Sequence, residues 1–222
     1  MNDFMGNTKC LKEDSPKPEP AVEIPRLFSN RFCPYAKRVK IFLAHLKIDH
    51  ETVNIDLNSK PKWFREVSPL AKVPVYENNG SFTPDSVDII NLLAKDNKFE
   101  LSKILSQGEF NGFMEQIVSL WYKICYYKDL SVIGTFEEAL KNFAALESFG
   151  VLSKCKTLEF DDVLIWPWME MINLTHWEVI QRHDALKTYI SNKSRLEPMK
   201  LTRIPADVFK RFASSHDFDI DL

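Results

Sequence analysis

The chain has 222 residues, 45% of them hydrophobic and 27% charged, an ordinary globular balance that excludes wholesale disorder. Its 29 Lys and Arg against 31 Asp and Glu give a formal charge of -2 and argue against a dedicated nucleic-acid binder. Apolar runs are too short for a membrane-spanning helix, and the first residues lack the basic-then-apolar pattern of a secretory signal. Cys10, Cys33, Cys125 and Cys155 form no CxxC pair, and no histidine sits at metal-ligand spacing. A reduced, cytoplasmic protein without a metal is the expectation.

Residues 1–22 read as a flexible extension, because Pro16, Pro18 and Pro20 alternate with charge and few apolar groups are present to offset ordering entropy. Arg26–Ser29 is a short strand candidate. Pro34 then suits the first position of a helix, whose face is Val39, Phe42, Leu43 and Leu46. Thr52–Leu57 alternates as a strand, and Pro61–Glu66 reads as a short helix or turn. Val73–Tyr76 and Ser81–Thr83 read as strands flanking an Asn78-Asn79-Gly80 turn. Asp85 or Ser86 caps a helix carrying Val87, Ile90, Leu93 and Ala94. This β-α-β-α-β-β-α order predicts a small α/β domain with a mixed sheet over 23–100.

From residue 101 to 222 the period is helical throughout. Phe110 to Ile124 keeps an apolar face over four turns. Phe136, Leu140 and Phe143 start another helix, which Gly150 can end. Asp162–Ile172 is apolar on most sides, with Pro167 implying a kink or a helix start. Ala185–Ser191 and Val208–Ala213 are further helices.

Cys33 precedes a helix whose free N–H groups and dipole favour a thiolate, with Arg31, Lys37, Arg38, Lys40 and Lys47 nearby in sequence. These features predict a lowered thiol pKa; the plainer reading is a buried structural cysteine. Cys33-Pro34-Tyr35-Ala36 lacks a second cysteine, so the thiol needs an external partner. Pro74 is either a cis site that turns the Val73 backbone toward a ligand, or, more simply, a trans proline opening an edge strand. Ser86 at a helix start either helps bind a carboxylate or only caps the helix, and Lys60 is either an anion contact or solvated.

As a set, Phe32–Arg38 (FCPYAKR), Asn54–Leu57, Lys60–Phe64, Ser68-Pro69, Val73–Val75, Asp85-Ser86 and Leu164–Trp168 closely resemble an omega-class glutathione transferase over about residues 24–180. The resemblance implies a thioredoxin-like N-terminal domain, an all-α C-terminal domain, a homodimer, and glutathione as cosubstrate. It implies that Cys33 forms a mixed disulfide with glutathione, that Lys60, Val73 and Pro74 contact the tripeptide, and that Asp85 and Ser86 hold its γ-glutamyl end. Pro34, Tyr35, Phe209 and Phe212 are then candidates for the second-substrate pocket. Dehydroascorbate and methylarsonate reduction follow from the resemblance alone.

Three departures stand out. Asp85 replaces the usual Glu and is one methylene shorter. Glu159-Phe160-Asp161-Asp162 lacks the capping serine found before the corresponding helix. The C-terminal tail is shorter and divergent. Chloride intracellular channel proteins share part of the motif, which leaves a non-catalytic or membrane-associating relative as the alternative. Stable membrane insertion is not expected. A conjugating transferase would need Ser or Tyr where Cys33 stands.

Overall fold

The computed structural model describes residues 10–21, 23–100 and 102–215. The remaining parts of the expected extension (1–9 and 22) and of the expected helical region (101 and 216–222) lie outside the described residues. The chain divides into two compact units.

The first unit is built on a five-stranded sheet. Its strands are β1 (Cys10–Leu11), β2 (Arg26–Ser29), β3 (Glu51–Ile55), β4 (Val75–Asn78) and β5 (Ser81–Pro84). They lie in the order β1-β3-β2-β4-β5. The β1–β3 and β2–β3 pairs are parallel, and β2–β4 and β4–β5 antiparallel. Helices α1 (Pro34–Leu46), α2 (Phe64–Val67) and α3 (Ser86–Asp96) alternate with the strands. This is the small mixed-sheet α/β domain that the sequence order predicts, in the thioredoxin-like form that the resemblance implies. Every residue of the central β2 is buried, as expected of a strand covered on both faces. Phe28, Val53, Ile55, Phe64, Val67 and Val75 form one core cluster, against which Leu11, Cys33, Leu57 and Trp63 pack. Asn79 and Gly80 both take positive φ, 49° and 75°, as a two-residue hairpin turn requires.

Two expectations need correction in this unit. The extension is not flexible over its described part. Cys10 and Leu11 pair with Asn54 and Ile55 at the sheet edge. The Ser15 carbonyl accepts a hydrogen bond from Trp63 Nε1 at 2.8 Å, and buried Ala21 donates its N–H to Glu77 at 3.1 Å. Composition missed this because the order comes from partners some 40 to 60 residues away in sequence. Nor does the C-terminal region belong wholly to the helical unit. Leu201–Phe212 groups with the first unit. Phe212 in α12 (Ala206–Ser215) stacks on Phe32, with ring centroids 4.1 Å apart.

The second unit is helical. It holds α4 (Gln107–Gly112), a π-helical turn at Phe113–Val118, and α5 (Ser119–Cys125), which together form the long helix predicted from the Phe110–Ile124 period. Then follow α6 (Ile133–Ala144), α7 (Glu147–Lys154), α8 (Phe160–Thr175), α9 (Trp177–Gln181) and α10 (Asp184–Lys193), with α11 (Glu197–Leu201) at its limit. Gly150 does not end α6 but lies inside α7, where buried Phe149 and Leu152 flank it. A glycine costs a helix only about 1 kcal/mol, which such burial offsets. Pro167 sits inside the fully buried run of α8 rather than at its start.

The missing capping serine of α8 is replaced by its neighbours. Asp162 reaches back to accept the Glu159 N–H at 2.9 Å, and Glu159 itself accepts hydroxyl bonds from Ser102 and Thr157. Asp162 also pairs with Lys193 at 2.7 Å, both side chains fully buried. Burial pushes the Asp162 carboxyl up to about 6, and the Lys193 ammonium pulls the other way.

Candidate functional site

Cys33 stands at the N-cap of α1, with extended backbone and Pro34 at the first helical position. Its Sγ lies 3.9 Å from the Val73 carbonyl, to which the thiol donates. The Val73–Pro74 peptide bond is cis, not the trans form favoured by the plainer sequence reading. Both residues are buried, so the backbone before Pro74 is presented to the thiol by the loop that leads into β4.

A cavity of about 640 Å³ opens around this point. Cys33, Tyr35, Lys60, Val73, Pro74, Asp85 and Ser86 all line it. Seven of the residues singled out in the sequence are thus brought together from α1, the β3–α2 connection, the loop before β4 and the start of α3. Three others are not among its lining residues. Pro34 is buried in the first turn of α1, and Phe209 and Phe212 are buried with their rings 5.8 Å apart. The two phenylalanines are core contacts of α12, so no second-substrate wall is assigned to them.

Most of the cations near Cys33 in sequence do not line its cavity. Arg31, Lys37, Lys40 and Lys47 line a different cavity of about 610 Å³ with His50. Burial pushes the Cys33 thiol up, against its expected lowering. The N–H groups of Ala36 and Tyr35 and the charges of Lys40 and Arg38 act in the opposite direction but are outweighed. A helix N-terminus favours the anion only as far as desolvation leaves it room.

Of the two capping candidates that line the cavity, each has its own part. The Asp85 carboxylate accepts the N–H groups of Val87 and Asp88 at 2.7 and 3.4 Å and is the N-cap of α3. Its φ of 71° is unusual for a residue with a Cβ, a conformation that costs roughly 1–3 kcal/mol and tends to mark ligand sites. Ser86 caps nothing. It is buried, and its Oγ accepts from Arg38 Nη1 at 3.4 Å.

Sequence reasoning missed two supports of this site. Arg38, read only as local charge, bridges the site: its guanidinium lies over the Tyr35 ring at 5.1 Å and bonds Ser86. Local sequence gave no hint of this, because Ser86 is 48 residues from Arg38. Ser68 ties the 68–72 wall of the cavity, its Oγ donating to the Lys72 carbonyl at 2.8 Å and accepting the Lys72 N–H at 3.0 Å. The Ser68-Pro69 pair was visible in the sequence, but its loop closure was not.

Mixed sheet, helical unit and cis-proline cavity together define the glutathione transferase fold. The profile of the glutathione S-transferase N-terminal domain matches residues 27–99. The chain is 32% identical over 205 residues to glutathione S-transferase omega-1 of Sus scrofa, covering 84% of this chain and 83% of that one. It is 47% identical over 213 residues to glutathione S-transferase omega-1 of Mus musculus, covering 89% and 87%. The crystal structure of dehydroascorbate reductase from Chlamydomonas reinhardtii matches 88% of this chain and all of its own. The TM-score is 0.72 at 16% identity, a likeness of fold. The chain belongs to the omega-class glutathione transferase family.

Among the described residues no helix is long and apolar enough to cross a membrane.

Proposed function

We propose that this chain is a glutathione-dependent thioltransferase and reductase whose nucleophile is Cys33. The observation that carries the reading is the convergence of Cys33, the Val73 backbone, Lys60 and the Ser86 end of α3 on one cavity. A tripeptide fits those parts in order. The Val73 carbonyl and N–H suit an extended peptide backbone. The N-terminus of α3, with the Ser86 hydroxyl, suits the γ-glutamyl carboxylate. Lys60 suits the opposite carboxylate, and the cysteinyl sulfur then falls beside Cys33.

The chemistry follows from a single thiol. The Cys33 thiolate attacks the glutathionyl sulfur of a mixed disulfide, forming Cys33–S–S–glutathione and releasing the substrate thiolate. A glutathione thiolate then attacks the glutathionyl sulfur of that disulfide, freeing the Cys33 thiolate and leaving oxidised glutathione. In sum one external glutathione is consumed per substrate thiol released, the other half of the oxidised glutathione being the glutathionyl group that the substrate carried. Dehydroascorbate is one acceptor this reading includes, a reductase of that compound being among the fold neighbours. The homodimer and the cytoplasmic setting implied by the family belong to the same proposal, and the four free cysteines suit a reducing compartment.

The test is Cys33→Ser. A serine hydroxyl is far less acidic and cannot form the mixed disulfide. Glutathione-dependent reduction of a model disulfide is expected to vanish while the circular dichroism spectrum and melting point stay close to those of the parent. Retention of more than roughly a tenth of the rate would assign the chemistry to another group.

A further inference from the structure

We infer that residues 11–17 of the N-terminal segment hold the Lys60 loop in position and so set the affinity of the cavity for glutathione, with Trp63 as the positioning residue. This rests on the reading of Lys60 as a glutathione contact.

Lys60 lies in the stretch between β3 and α2, where no regular hydrogen bonding fixes the backbone, and its side chain is exposed. A lysine in that setting loses rotamer and backbone freedom when it grips a carboxylate. Fixing its backbone beforehand lowers that cost. Both flanks of the stretch are tied to the N-terminal segment. On the upstream side the Asp56 N–H donates to the Leu11 carbonyl at 3.0 Å. The Asp56 carboxylate, itself buried, accepts the N–H groups of Asn58 and Ser59 at 2.8 and 3.1 Å, immediately before Lys60. On the downstream side Trp63 Nε1 donates to the Ser15 carbonyl at 2.8 Å. The pairs Glu13–Lys62 at 3.4 Å and Lys17–Glu66 at 2.8 Å lie on either side of that bond.

The anchoring segment is itself ordered. Ser15 N–H donates to the Lys12 carbonyl at 2.9 Å, and the Lys12 N–H donates to Ser15 Oγ at 2.8 Å. Cys10 and Leu11 are held in the sheet. The Trp63 ring is fixed from the other side by Phe28 and Phe64, each with centroids 6.0 Å away. The two exposed ion pairs are screened by solvent and add little. The half-buried indole bond and the sheet-edge bonds carry the restraint. Covering a sheet edge would account for Cys10 and Leu11 alone. It does not account for three further contacts, all made to residues 62–66.

The experiment is a double-mutant cycle read by calorimetric titration with glutathione on the full chain. Trp63→Phe removes the indole N–H and keeps the ring on Phe28 and Phe64. It is expected to weaken glutathione binding about three- to tenfold, the worth of one hydrogen bond. The rate of Cys33 alkylation by iodoacetamide should stay within about twofold, which a collapsed site would not allow. Lys60→Ala should weaken binding at least as much. Adding Trp63→Phe to Lys60→Ala should then cost less than about twofold more, since the indole acts through Lys60. Equal losses from Trp63→Phe in both backgrounds would overturn the inference and leave the Lys60 contact standing. So would unchanged binding in Trp63→Phe beside a clear loss in Lys60→Ala. Unchanged binding in Lys60→Ala would overturn the reading of Lys60 itself, and the inference with it.

Discussion

Cys33 shows two opposed effects on one sulfur. Helix N–H groups and the charges of Lys40 and Arg38 favour the thiolate, while burial favours the thiol and prevails. A raised pKa leaves a smaller thiolate fraction on Cys33 than on an ordinary thiol at the same pH, and the reactive fraction grows as pH rises. The midpoint of its alkylation-rate profile should lie above about pH 8.5, where an ordinary thiol is half ionised. Following the rate across pH 6 to 10 by mass spectrometry checks this, and a plateau near neutrality would show that the helix end wins. The Asp85-Ser86 pair makes a second residue-scale prediction. Ser86→Ala should weaken glutathione binding about tenfold, the lower end for a hydrogen bond to a charged group, with little change in melting point. Asp85→Ala removes the cap of α3 and should cost about 1 kcal/mol of stability. Binding titrations and melting curves on both variants separate the roles; reversed outcomes would make Ser86 the cap.

Among the elements, α8 carries the heaviest internal charge. Asp162 closes its N-terminus and neutralises the fully buried Lys193. Asp162→Ala strips the counter-charge from a lysine with no access to water, which costs about 3–5 kcal/mol in such sites. Urea unfolding should show the midpoint falling by a corresponding amount. A loss under roughly 1 kcal/mol would mean that Lys193 is not held as a cation there. Elements with a period were legible in the sequence. The Val39, Phe42, Leu43 face of α1 is buried as the spacing requires, and so are Phe113, Ile117, Trp121 and Ile124 of the four-turn stripe, whose Phe110 and Met114 are half-buried. Elements without one were not. A two-residue strand such as β1 has no alternation to read, and α7 was hidden because Gly150 resembles a stop signal.

Across the whole chain, what the sequence could not disclose is pairing between distant segments. The motif residues Cys33, Lys60, Val73, Asp85 and Ser86 could be picked out because their types and local settings suggest chemistry, and the fold gathers them on one cavity. The ordering of residues 10–21 depends on Asn54, Trp63 and Glu77. The grouping of Leu201–Phe212 with the first unit accompanies the stacking of Phe212 on Phe32. Neither contact leaves a local signature, so the extension read as flexible and Phe212 as a pocket wall. The central claim concerns a single thiol in that cavity. Incubating the protein with oxidised glutathione and mapping the products by mass spectrometry tests it most directly. The account predicts one glutathione adduct on Cys33, removed by added glutathione, with Cys125 and Cys155 unmodified. An adduct spread over several cysteines, or none on Cys33, would contradict it.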